Sequence, residues 1–130
     1  MKLETFLAEA RRTPFAWGRF DCSLWLADWL VAQGRPDPAP AWRGAYADPG
    51  GAEALLRTAG GLPALVARLA TAAGLPRVET PARDDIGLVE VLTRRGVEPA
   101  GAICTGPRWA VLSEHGLIVA RLNPLAAWRP

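Results

Sequence analysis

Two residues of this chain could form a thiol–imidazole pair, Cys22 and His115. A thiolate attacks acyl carbons, and an imidazole can take its proton and later deliver one to a leaving amine near neutral pH. Cys22 stands in the run Phe20-Asp21-Cys22-Ser23-Leu24-Trp25, shortly after Trp17-Gly18, whose glycine marks a turn. Asp21 suits a helix N-cap, where its carboxylate accepts from a free N–H of the first turn. Cys22 then falls in that turn, where partial positive charge favours a thiolate. The neighbouring Asp21 carboxylate works the other way. Trp25, Leu26, Trp29, Leu30 and Gln33 follow at helical spacing and form one mostly apolar face. The competing reading is that Cys22 is core filler, the commoner role of a cysteine on an apolar helix. His115 lies in Ser113-Glu114-His115-Gly116, which reads as a turn. It serves as the base only if the fold carries that turn to the thiol; otherwise it is an ordinary surface histidine.

The rest of the chain must position these groups, and composition bounds how. The sequence has 130 residues, enough for one domain, here 1–130, with a real core. Half of the residues are hydrophobic, yet no run reaches the length of a membrane span. The amino end carries Glu4 and no long apolar block, so it does not read as a secretory signal. A net charge of +2 with scattered arginines gives no basic stripe for nucleic acid. Cys22, Cys104 and a single histidine offer no metal-ligand spacing, and no cofactor motif is present. Both cysteines read as thiols of a reducing cytosol.

In order, residues 2–11 read as an amphipathic helix on Leu3, Phe6 and Leu7, stopped by Thr13-Pro14. The Cys22 helix is expected over 22–33, ended by Gly34. Residues 35–50 read as loop because proline and glycine crowd it, with Trp42 and Tyr46 stapling that loop to the core rather than walling a cleft. Helices are expected over 52–58 and 62–73. After Pro76 the pattern changes to strands at Val78, 86–91, 100–105, 108–112 and 117–122, joined by short turns. Residues 1–75 are thus mainly helical and 84–122 mainly strand. This predicts an α+β domain, its N-terminal helices packed on a small antiparallel sheet.

The segments Pro14-Phe15-Ala16-Trp17-Gly18 and Phe20-Asp21-Cys22-Ser23 resemble the cysteine motif of the NlpC/P60 family of papain-like cell-wall peptidases. Asp85-Ile86-Gly87-Leu88-Val89 is similar to the family segment that opens its first sheet strand, and Ala100 to Gly106 to the strand that normally begins with the catalytic histidine. The compact form resembles the small NlpC/P60-like proteins of tailed phages and gene transfer agents. The resemblance implies a papain-like fold, Cys22 as nucleophile and Asp21 as its acidic neighbour. It also exposes departures. Phe15 stands where the family has tyrosine, Asp84 where it has glycine, and Ala100 where it has the histidine. Alanine cannot take a proton, which leaves His115 as the one candidate base.

Two functions follow as expectations. The first is a tail-tip component of a virion or gene transfer agent, made in the bacterial cytoplasm and bound to neighbouring tail proteins, with catalysis reduced or lost. Six tryptophans supply aromatic surface of the kind enriched at interfaces. The second is an active peptidase that cleaves peptidoglycan stem peptides with Cys22 and His115. Arg19 and Arg43 could then meet a stem-peptide carboxylate, although solvated arginines are the commoner case.

Overall fold

Leu3, Phe6, Leu7 and Ala10 line the buried side of the first helix, α1 (Leu3–Arg12), and bring it onto the core. The computed structural model describes residues 1–130. Helices α2 (Leu24–Ala32), α3 (Pro49–Ala59) and α4 (Leu62–Ala72) follow. Then come the strands β1 (Arg77–Val78), β2 (Ile86–Thr93), β3 (Gly96–Cys104), β4 (Trp109–Ser113), β5 (Gly116–Ala120) and β6 (Pro124–Trp128). The six strands form one sheet in the order β1-β6-β2-β3-β4-β5, every neighbouring pair antiparallel. The protein is therefore α+β, four helices and an antiparallel sheet. No helix is long and apolar enough to cross a membrane.

Three local expectations need correction. Helix α3 begins at Pro49, inside the stretch read as loop. Asp48 caps it by accepting from the Gly51 N–H at 2.7 Å, and proline is at home in a first turn. Helix α2 is not one apolar face. Leu24, Trp25, Leu26, Ala27, Trp29 and Leu30 are all buried, because the helix runs through the middle of the core. The strand pattern also omitted β6, which returns from β5 and inserts between β1 and β2. Its five residues open on a proline and pair with segments distant in sequence, so local pattern carries little of the signal.

The sheet has two apolar faces. Ile86, Leu88, Ile103, Ala110 and Leu112 face the helices and join Trp25, Leu26 and Trp29 in the main core. Val89, Ala102, Cys104, Trp109 and Val111 cluster on the opposite face, where no helix lies. Trp109 covers part of that face itself. Its ring lies over Gly87, where an added Cβ would sit 2.7 Å from the indole. Glycine is required there by close approach.

Asp84 explains another departure in the sequence. Its φ is 81°, the left-handed region that glycine occupies without cost. Its carbonyl accepts from Trp29 Nε1 at 2.9 Å, and its N–H donates to the Cys104 carbonyl at 2.9 Å. Asp84→Val is expected to lower the unfolding free energy by about 1–2 kcal/mol, whereas Asp84→Gly should not lower it. Denaturant titration of the two variants checks this.

Candidate functional site

The site is built where two loops lock together at the start of α2. Residues 16–20 form a tight turn closed by reciprocal hydrogen bonds between Ala16 and Phe20, at 2.9 and 2.8 Å. Gly18 has φ 79°, and its carbonyl accepts from the Gly44 N–H at 2.7 Å. A Cβ on Gly18 would fall 1.9 Å from the Tyr46 carbonyl oxygen. Only glycine lets the two loops touch at this point.

Asp21 joins these parts. Its side chain is buried, and both oxygens are satisfied. Oδ1 accepts from the N–H groups of Ser23 (3.1 Å) and Leu24 (2.9 Å). Oδ2 accepts from the Gly18 N–H at 2.9 Å and from the Tyr46 hydroxyl at 2.5 Å. Ser23, not Asp21, takes the N-cap position of α2; the Asp21 carboxylate reaches the first N–H groups from two residues upstream, holds the Trp-Gly turn and anchors the loop after Pro40. Regular helix starts at Leu24, two residues later than expected, so Cys22 sits in the turn that leads into α2 rather than inside it. The Trp25 N–H still reaches the Asp21 carbonyl at 3.1 Å, the first helical bond.

Cys22 is half-buried and unbonded to any other cysteine. Its thiol is pushed up from 9.0 to about 11, first by burial, then by the charge of Asp21, with Glu114 adding in the same direction. A hydrogen bond from Ser23 opposes this and loses. Burial and two carboxylates outweigh the helix start, so the thiol stays protonated at neutral pH.

From its pairing at Ile103 and Cys104, β4 runs back along β3 toward Gly101, which brings the β4–β5 turn to the thiol's side of the molecule. His115 is in that turn and exposed. Its N–H donates to Ser113 Oγ at 3.2 Å, and its ring makes no hydrogen bond to Cys22. The residue of this turn whose charge reaches the sulfur is a carboxylate, which disfavours ionisation.

Ala100 requires a correction. It packs with Val89, Ala102 and Cys104 on the face of the sheet away from the helices. Successive strand residues alternate faces, so Pro99 and Gly101 point to the helix side. A Cβ on Gly101 would meet Leu26 Cδ1 at 2.6 Å and the Cys22 carbonyl at 3.5 Å. The β3 positions facing the thiol turn are therefore Pro99 and Gly101, one step from the expected residue, and neither can take a proton. Arg43 is also committed elsewhere: it bridges Asp28 and Asp37, at 2.8 Å to each.

Sequence reasoning singled out Tyr46 but missed its polar role. The residue does hold its loop in place, but through a polar bond to Asp21 rather than by packing alone. Burial, the Asp21 hydrogen bond and the Asp21 charge together raise its hydroxyl, which stays protonated and donates. A tyrosine in a proline- and glycine-rich loop was the available signal. Trp42 packs against Leu24, Ala27 and Leu69 and does act as a staple. No group of three or more His, Cys, Asp or Glu side chains is placed to hold a metal ion. Two surface grooves, of about 420 and 520 Å³, are lined by neither Cys22, Asp21 nor His115.

Fold and site together define a small α+β domain with a carboxylate-locked cysteine turn. The family model described as domain of unknown function DUF6950 matches residues 1–130, and the chain belongs to that family. No curated protein and no solved structure matches it.

Proposed function

We propose that this protein is a papain-like domain of NlpC/P60 type whose cysteine centre no longer catalyses and which acts as a structural component of a phage or gene-transfer-agent tail tip. One observation carries the loss of catalysis: the Cys22 thiol is held protonated by burial, Asp21 and Glu114, and no imidazole is bonded to it. Amide cleavage by a thiol needs a base and then an acid at the same place. The papain-like assignment is supported by the sequence order Trp17-Gly18, Asp21-Cys22-Ser23, then strands, and by the antiparallel sheet under the Cys22 turn. The tail-tip assignment is supported by the resemblance of the compact cysteine motif to proteins of that setting.

The test is hydrolysis of purified peptidoglycan and of soluble stem peptides by the full chain beside its Cys22→Ala variant. The expected result is no release of new amines above the variant's background. Cleavage that disappears in Cys22→Ala would overturn the proposal and restore the peptidase reading, with His115→Ala identifying the base.

A further inference from the structure

The β2–β3 hairpin runs past the rest of the sheet. β2 pairs with β6 only through Val89, and β3 pairs with β4 only at Ile103 and Cys104. Val91 to Glu98 therefore form a two-stranded ribbon with open edges. Such a ribbon has little stability of its own. At its tip Leu92 and Val97 are direct cross-strand partners and are 84% and 63% exposed. Arg94 and Arg95 make the turn, are exposed, and pair with no carboxylate.

A groove of about 520 Å³ between α1 and the end of α2 has the complementary character. Its apolar part includes Phe6, Met1 and Val31, the last two 58% and 45% exposed. Its acidic part is Glu9, Asp28 and Asp37. Arg43 also lines the groove and bridges both aspartates, and the Met1 amino group beside them is cationic, so Glu9, which has no ion-pair partner, is the groove's one unpaired carboxylate. The ribbon extends beyond the part of β3 that meets the start of α2, whereas the groove is lined by α1 and the later part of α2. The start of α2 touches Gly101 on the ribbon side, and its later turn places Trp29 on Asp84 at the other end of the strands.

We infer that the ribbon tip of one copy docks into the α1–α2 groove of the next, Leu92 and Val97 entering the apolar part and Arg94 and Arg95 meeting Glu9 and its acidic neighbours. The two surfaces differ, so the contact is heterologous and builds a ring or an open filament according to whether its rotation closes. The inference rests on the surfaces alone and does not depend on the state of Cys22 or on the tail-tip reading.

Sedimentation velocity of the full chain over a range of concentrations, at low and high salt, tests it. The expected result is association beyond the monomer that salt weakens. Leu92→Asp should raise the dissociation constant about tenfold or more, as loss of a central apolar contact does. Arg94→Glu should weaken association, and Glu9→Arg in the same chain should restore part of it. Circular dichroism confirms that each variant is folded. A protein that stays monomeric throughout, or binds only a different partner through this tip, would overturn the inference. So would association that Leu92→Asp leaves unchanged.

Discussion

Asp21→Ala should lower the unfolding free energy by about 3–5 kcal/mol. The carboxylate is 1% exposed and accepts four hydrogen bonds, from Gly18, Ser23, Leu24 and Tyr46. Bonds to a charged acceptor are each worth about 1.5–3 kcal/mol, and removing the acceptor strands its donors. Water can reach some of the freed helix N–H groups, so the total falls below the simple sum. Two controls separate the parts. Tyr46→Phe removes one donor and should cost about 1–3 kcal/mol. Asp21→Asn keeps an acceptor for Ser23 and Leu24 but turns an amide toward Gly18 and Tyr46, and should fall between the other two. Denaturant unfolding of the three variants gives the ranking. The same substitution has a chemical signature: without the Asp21 charge, the Cys22 thiol should ionise at lower pH, although its burial remains. An Asp21→Ala protein as stable as the parent would remove the structural role assigned to this carboxylate.

The second large effect is expected in the core. Trp29 is fully buried, stacks at a tilt on Phe6 with ring centres 5.0 Å apart, and donates to the Asp84 carbonyl. Trp29→Ala should cost about 3–5 kcal/mol, the range for deleting a large aromatic from a core. That is a large share of the stability of a domain of this size. Trp25 provides the comparison. It is equally buried, but its Nε1 has no acceptor. Trp25→Phe therefore loses packing only, whereas Trp29→Phe also leaves the Asp84 carbonyl without its donor. The latter should be the more destabilising by about 1–3 kcal/mol, read as a difference in denaturant midpoints at constant slope. Equal losses would contradict the role given to the Trp29–Asp84 bond.

How far the sequence reaches is clearest at particular residues. The apolar spacing of Leu3, Phe6 and Leu7 defines α1, and that of Leu65, Val66 and Leu69 defines α4, because helix amphipathicity is local. Asp21 was legible as an acceptor for the first helical N–H groups, because those groups are adjacent in the chain, although the N-cap position itself falls to Ser23. Its second oxygen was not, because Tyr46 reaches it from a separate loop. The face of β3 was also hidden. Pro99, Ala100, Gly101 and Ala102 are all small or compact, so no apolar–polar alternation reveals which of them point to the helices. The packing of Gly101 on Leu26 and of Ala100 beside Val89 and Ala102 fixes which face is which. The reach of the Glu114 charge to the thiol had no local signal either. It depends on where the β4–β5 turn lies, which is a property of the whole sheet.

These points bear on the thiol. The Asp21-Cys22-Ser23 motif reads as a nucleophile because helix starts and cysteine reactivity go together. In this fold the same Asp21 is consumed in holding loops together, and the groups nearest the sulfur by charge are both carboxylates. On the proposed reading the motif serves the architecture, with the sulfur as a passive member.

The most direct test of that account is the pH dependence of alkylation at Cys22, followed by mass spectrometry so that Cys104 is read separately. Labelling should be slow through neutral pH, about a hundredfold below an ordinary thiol, as expected for a two-unit rise in pKa. It should then climb with a midpoint near 11. Fast labelling with a midpoint at about 7 or below, the behaviour of a thiolate stabilised by a neighbouring cation, would contradict it.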